Sequence, residues 1–596
     1  MNEQKNFILA MVLSALVLIG YWFFVQGPAI EQAKQNAQEE MERAKAEQTL
    51  VDPEVAQTVE PAKLLPREDL VAQGERIKID SPGMRGSFLT TGARFDDVTL
   101  KNYDKTLDPA DGQVSLLSPE GSEKAAYITD NWVRAGLATN GFDTPWAVIS
   151  GSTLTPTSPV ILGYAGDGFE IRRTMSVDDR YLVKIEDVVT NTSSTELALQ
   201  RKGVTRQHSL PDDLTNFFII QEGPISVIDN KYNDMKYKGL RKKGSWSETG
   251  QSGWVGLSDK YWLLAAIAPQ HKVMTAERKF RTINDQDVYE TSYTLAATTL
   301  TPGASITSTG FMFAGAKDRD VLKRYEADYG IAQMELAIDW GFVGILVKPI
   351  YWALSKLGTM FGNFGIGILA LTLIIKLIMF PLFNKQYESQ AKMKKVQPKL
   401  KKLQERYKED RMKLQQEMMA LYKKEGANPV AGCLPIIPTI FVFFALYKSV
   451  FINIDMRHAP FFGWIQDLSA QDPLSVLNLF GLLPWSSNPT GIAFLAIGPL
   501  AILYGISMSL MYTLTPPAGA GGGEQAEMMQ KMMKWMPWVF MFILAPFPAG
   551  LLLYWVWNNI LSFGQQYYIT RKYDVDTPVD AFFRKITGKA EPDTSN

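Results

Sequence analysis

The chain has 596 residues, is 46% hydrophobic and carries a net charge of −1, a balance that leaves only its segment-by-segment charge informative. One cysteine, Cys433, excludes an intramolecular disulfide framework, and the three histidines His208, His271 and His458 lack any metal-ligand spacing. No CxxC, HExxH or Walker A pattern occurs, so a zinc hydrolase or an ATPase has no support and no metal or cofactor is expected.

Residues 7–25, FILAMVLSALVLIGYWFFV, are a longer apolar run than the core of about 7–15 residues in a cleavable signal peptide, and no small-x-small site follows. A retained signal-anchor helix is expected within residues 1–27, with Lys5 on the cytoplasmic side and Tyr21 and Trp22 near the outer interface. Residues 28–69, rich in Glu, Gln, Ala and Lys, read as a polar tether. Over 70–338, short runs of Val, Ile, Tyr and Thr are broken repeatedly by Gly, Asn, Asp and Pro, the texture of an all-β sandwich or barrel. In FEIRRTMSV, Phe169, Ile171, Met175 and Val177 share one strand face, and in YLVKIEDVV so do Val183, Ile185 and Val189. No run here is long enough to span a bilayer, so the signal anchor places this domain outside the cytoplasm.

From residue 339 the chain turns apolar. Residues 339–358, DWGFVGILVKPIYWALSKLG, carry Lys348, Pro349, Lys356 and aromatics, which suit a helix lying in the interface plane rather than a further span. Spans are expected at 359–383, 430–452 and 492–514. The last apolar stretch contains APFPAG at its middle, which reads as a hairpin turn between two short helices, 532–546 and 548–568. The first of these is short for a hydrocarbon core of about 30 Å, and a locally thinned bilayer accommodates it. The total is six spans with both termini, including the tail 569–596, in the cytoplasm. Charge supports this: residues 384–429 hold thirteen Lys or Arg, whereas the outer loop 453–491 holds only Arg457.

Within 384–429, Met393, Val396, Leu400, Leu403 and Tyr407 recur at heptad spacing, and Leu414, Met418 and Leu421 continue a seam after a break, so a short antiparallel coiled-coil hairpin is expected. It is either a rigid solvated spacer or a docking platform. In the loop 515–531 and beyond, Met528, Met532 and Met536 lie on one helical line and Met529 and Met533 on the next, after the flexible run PPAGAGGGE. Such a stripe is either core or an adaptable face for apolar clients.

Lys376 stands inside the apolar run FGIGILALTLIIKLIMFPLF. A charge at the centre of a spanning helix costs about 2.5–3.5 kcal/mol on insertion scales and marks function by default. Snorkelling to the nearer surface runs against the N-terminal tilt of helical side chains, and no Asp or Glu lies within any other span to form an ion pair. The remaining reading is a lysine facing water inside the protein, with Thr372 and Phe380 one turn either side on the same face.

The residues GNFGIGILALTLIIKLIMFPL, QQEMMALYKKEGANPVAGCLP, DLSAQDP and FPAGLLLYWVWNN, with GARFDDVTLKNY and FAGAKDRDVLKRYE in the β domain, make the chain resemble the YidC-type membrane protein insertases. The resemblance implies a Gram-negative inner-membrane insertase and chaperone rather than an enzyme. Its fold would be a polytopic α-helical membrane domain with a five-helix insertase core, an all-β periplasmic supersandwich similar to sugar-epimerase folds, and a cytoplasmic helical hairpin. It further implies nascent membrane proteins as clients, the Sec translocon and membrane lipids as partners, ribosome or targeting machinery docking at the hairpin, and no small-molecule substrate. The family's intramembrane basic residue, often arginine, falls on Lys376, and the substrate-contacting groove would include Thr372, Phe380, Phe443, Tyr504, Tyr554 and Trp555. Two departures stand out: Thr439 and Phe441 replace a Gln-x-Pro of the second core helix, and LLPWSSNPTGIAF lengthens the loop before Tyr504. The rival readings are a secondary transporter or channel, for which paired internal repeats are missing, and an enzyme or carbohydrate-binding module in the β domain, for which no convergent His and carboxylate set is visible.

Overall fold

The computed structural model describes residues 64–573, apart from 138, 140, 212–213, 215–219, 284, 408–409, 427–435, 489–492 and 516–523, and after them 575, 577, 579–580, 584 and 587. The expected signal anchor, nearly all of the tether, Cys433, most of the glycine run and most of the tail lie outside the described residues. The chain divides into two units, Met1–Asp339 and Trp340–Asn596.

Among the described residues, the first unit is built from an eleven-stranded and a nine-stranded sheet. In the first, Leu197–His208 lies between Ala126–Arg134 and Gln286–Leu295, and in the second, Ser305–Ala316 lies between Leu182–Asn191 and Trp262–Ile267. Among the described residues, pairing is antiparallel except between Arg76–Asp80 and Thr153–Leu154. The expected alternation is present: Phe169, Ile171, Met175 and Val177 are buried in one strand, Val183, Ile185 and Val189 in the next.

The same alternation carries charges inward. Arg173 and Asp187 lie on those buried faces, directly opposite one another in the strand register. Arg173 donates from Nε and Nη2 to the two carboxylate oxygens of Asp187, both at 2.8 Å. Arg201 of the other sheet donates from Nε to Asp130 at 2.7 Å, and the Trp132 indole donates to Asp187 at 2.9 Å, so the network ties the two sheets together. Burial pushes the Asp187 carboxyl up, but Arg173 and Arg201 outweigh it and hold it below the usual carboxylate range.

A second buried pair joins Arg206 to Glu290, at 2.9 and 2.6 Å. Beside it His208 is buried, its Nδ1 3.2 Å from Gln286 Oε1, and burial pushes its imidazole below the ordinary value. The unfolded chain therefore takes up a proton near pH 6.5, roughly the free imidazole value, where the folded ring still resists it. Stability in place above that pH is lost as the pH falls through the folded value. We expect the β unit's thermal midpoint to drop on acidification through this window and the drop to shrink in His208→Gln, as read by differential scanning calorimetry.

The motif FAGAKDRDVLKRYE closes the unit. Asp318 caps the helix Arg319–Tyr329 by accepting from the N–H groups of Asp320 and Val321, and Gly330 ends it in the left-handed conformation. Tyr325 donates to Asp178 at 2.6 Å and accepts from the Tyr181 N–H. Gly315 is fixed by close approach, since a Cβ there would lie 2.3 Å from the Tyr181 ring.

The second unit is helical: α1 (Gly344–Phe361), α2 (Phe364–Arg406), α3 (Arg411–Lys424), α4 (Ile436–Ile452), α5 (Pro499–Leu514), α6 (Glu524–Leu544) and α7 (Ala549–Lys572). Helix α1 buries Val347, Tyr351, Leu354 and Gly358 on one face and exposes Ile345, Trp352 and Met360. Gly362 ends it in the left-handed conformation, and Asn363 caps α2 by accepting from the Ile366 N–H. Helix α2 runs unbroken past the expected boundary at 383 into the basic segment, with Pro381 and Pro398 inside it. Against its second half packs α3, with Val396, Leu400, Met418 and Tyr422 buried between them.

Among the described residues, one helix, α2, is long and apolar enough to cross a membrane; Pro438–Ile452, Pro499–Leu514 and Lys534–Leu544 are shorter apolar helices. Helix α5 begins at Pro499 rather than at 492, and residues 493–495 form a single 3-10 turn. The reason is local. The residue before proline disfavours the helical region, and Asp472 accepts from the Leu500 N–H at 3.1 Å, capping the helix there. The stretch containing APFPAG is split, α6 ending at Leu544 and α7 beginning at Ala549. The loop residues 468–471 bind this turn: Leu468 and Ala470 carbonyls accept from the Gly550 and Ala549 N–H groups, and the Gln471 amide donates to the Ala545 carbonyl.

Candidate functional site

Helix α7 positions the site. Its sequence LLLYWVWNNILSFGQQYYIT begins apolar and then places Asn559, Ser562, Gln566 and Thr570 on one buried stripe. These polar groups are met from both sides. Asn559 donates to Ser507 of α5 at 3.1 Å, Gln565 to Asn384 of α2 at 2.8 Å, and Gln566 to Gln390 of α2 at 3.0 Å.

Lys376 of α2 joins this stripe. Its half-buried ammonium donates to the Ser562 hydroxyl at 2.6 Å and lies 4.4 Å from the ring centre of Phe383. Ser562 in turn donates to the Asn558 carbonyl of its own helix at 2.6 Å. Among the described residues no carboxylate pairs with Lys376. The ammonium reaches a ring further along the helix toward its C-terminal end, against the direction that the tilt of the Cα–Cβ bond suggests. The long lysine stem is flexible enough to bend that way, and the Phe383 ring supplies a polarisable surface for the cation.

The expected neighbours of Lys376 fare differently from one another. Thr372 is only 1% exposed, and its hydroxyl donates back to the Ile368 carbonyl of its own helix at 2.6 Å. Phe380 is 45% exposed. Phe443, Tyr504 and Trp555 are brought together: the rings of Phe443 and Trp555 stack at 5.5 Å and 15°, and Tyr504 lies 5.8 Å from Trp555. Tyr447 stacks on Phe443 at 6.1 Å, and Phe547 stands edge-on to Trp555 at 5.7 Å. Tyr554, next to Trp555 in sequence, is buried and has no ring partner in this group. The sequence reading missed Ser562, Phe383, Tyr447 and Phe547. The signal for Ser562 was present in NNILSFGQQ, where amides and a hydroxyl recur at helical spacing in a supposed span.

A family model described as the YidC periplasmic domain matches residues 76–353, and one described as the 60Kd inner membrane protein matches residues 356–576. The membrane protein insertase YidC of Maricaulis maris is 42% identical over 98% of this chain and 98% of its own. The chain belongs to the YidC membrane protein insertase family. The insertase of Caulobacter vibrioides is 38% identical over 99% of both chains. A crystal structure of an active YidC insertase with its first transmembrane domain resolved aligns at TM-score 0.34 and 15% identity, over 86% of this chain and 95% of that one. Family membership makes this an inner-membrane protein with a periplasmic β domain, and an insertase rather than an enzyme.

Proposed function

We propose that the chain inserts nascent membrane proteins, alone or with the Sec translocon, through a hydrophilic groove inside the bilayer floored by Lys376, whose ammonium is held by Ser562 of the buried polar stripe of α7. The observation that carries this reading is Lys376 itself, a cation in an apolar helix whose hydrogen-bond partner is a neutral hydroxyl, leaving its charge unmatched for an acidic client group. Six spans with both termini in the cytoplasm, a locally thinned bilayer and recruitment of clients or ribosomes by the basic hairpin of α2 and α3 complete the reading. The bilayer opposes each charged group of a translocated tail by about 2.5–3.5 kcal/mol, and a wet cationic groove lowers that barrier. Burial of the client's own apolar helix supplies the drive, so no nucleotide is required. The aromatic group of Phe443, Tyr504 and Trp555 would be the surface along which the apolar part of a client slides.

Photocrosslinking tests the path. With a benzophenone side chain at position 380, a stalled nascent membrane protein is expected to crosslink strongly, and at buried position 372 weakly. Absence of any crosslink from position 380 and from position 555 would remove the groove from the reading.

A further inference from the structure

The outer loop before α5 is built inside out. In residues 476–485, Val476, Leu479, Phe480, Leu482 and Trp485 are exposed, Leu482 by 84%, while the polar residues Ser475 and Asn478 are buried. Asn478 is the hub: its side-chain oxygen accepts from the N–H groups of Ser475 and Gly481 at 2.9 and 3.1 Å, and its amide donates to the Pro473 carbonyl at 3.1 Å. The Phe480, Leu482 and Leu483 N–H groups donate to the carbonyls of Ser475, Leu479 and Asn478. Even the Trp485 indole donates within the loop, to the Leu477 carbonyl at 3.0 Å. Leu479 and Phe480 hold φ of 48° and 55°, a left-handed conformation bulky side chains seldom adopt, and it turns both outward.

Water is the wrong solvent for this arrangement. An element that pairs the Phe480, Leu482 and Leu483 N–H groups within itself and displays apolar side chains suits hydrocarbon, where an unsatisfied polar group is costly. Residues 473–523 contain no Asp, Glu, Lys or Arg, so no charge opposes immersion. The Val476 N–H donates to the Ile497 carbonyl at 3.0 Å, next to the start of α5, whose Leu503, Ile506 and Leu510 are exposed along one side.

We propose that residues 476–485 are a wedge seated among the acyl chains of the outer leaflet beside α5. The proposal rests on the reading that α5 crosses the bilayer. It gives this loop a role in holding and disordering lipid next to α5 and the short apolar part of α6, Lys534–Leu544.

The test uses the full chain with Cys433→Ser, reconstituted in phosphatidylethanolamine and phosphatidylglycerol vesicles, and one new cysteine at a time carrying an environment-sensitive nitrobenzoxadiazole dye. With Leu482→Cys the dye should emit to the blue, be quenched by nitroxides on the acyl chains and resist aqueous iodide. Gln466→Cys, at an exposed polar site of the same loop, should do the reverse, and Leu510→Cys in α5 marks the bilayer interior. If Leu510→Cys is quenched by lipid nitroxide while Leu482→Cys is quenched only by iodide, the wedge is wrong and the face is left for a protein partner. If both respond only to iodide, the spanning reading of α5 falls and the wedge falls with it.

Discussion

In cells depleted of their own insertase, Lys376→Glu is expected to abolish insertion of clients whose translocated tails carry acidic residues, while Lys376→Arg supports it. The argument is electrostatic and local. The ammonium at 2.6 Å from Ser562 has a hydroxyl as its acceptor, which orients the charge without neutralising it. A carboxylate on an entering tail would find there a charge-assisted hydrogen bond, of a kind typically contributing about 1.5–3 kcal/mol. Removing it in Lys376→Ala should slow insertion of a tail with one acid about tenfold or more, since about 1.4 kcal/mol corresponds to a factor of ten. Glutamate adds repulsion to that loss, and clients with neutral tails should be spared by both variants. Arginine keeps the charge and can still donate to Ser562, although its planar fork sits differently over the Phe383 ring. The measurement is protease accessibility of epitope-tagged tails after complementation. Normal insertion of acidic tails by the Lys376→Glu protein would sink the electrostatic reading.

Much of this molecule is legible in its sequence because the strongest signals are collective. Apolar runs and the breaks between them each sum many weak preferences, and the period of two in FEIRRTMSV places four core residues correctly. What escapes is pairing across distance. Lys376 could be singled out, but its partner Ser562 lies 186 residues away, and nothing in either segment names the other. Sharing a helical line did not guarantee sharing a role either: Thr372 turns its hydroxyl back to its own helix while Phe380 stays open. The buried charges of the β unit escaped for the opposite reason. Hydrophobic periodicity treats Arg and Asp as outward residues, so Arg173 and Asp187 were invisible as core even though they sit on the predicted inward faces. Helix starts are set by single contacts, as where Asp472 and Pro499 together fix the beginning of α5.

Those buried charges carry the largest stability prediction. Arg173→Met is expected to destabilise the β unit by about 3–5 kcal/mol, because it leaves Asp187 buried with its bidentate partner gone. The Trp132 indole and the more distant Arg201, 3.8 Å away, cannot replace two parallel bonds at 2.8 Å. Arg173 also lies over the Trp146 ring at 4.3 Å, so methionine, which retains a stem against that ring, isolates the charge from the packing. Joint replacement, Arg173→Met with Asp187→Leu, removes both desolvation penalties at once. It should cost less than either single change, because Arg201 keeps Asp130 at 2.7 Å and Asp130 still accepts from the Tyr293 hydroxyl at 2.5 Å. The acid response follows with a definite sign. Asp187 is held below the usual carboxylate range when folded, so its contribution is complete above the unfolded value of about 3.9 and is lost as the pH falls through the lower, folded one. Arg173→Met should weaken that dependence. Urea-dependent proteolysis of the full chain, read on the β unit's fragments, measures all three variants; equal losses for the single and the joint replacement would show that packing, not the unpaired charge, sets the cost.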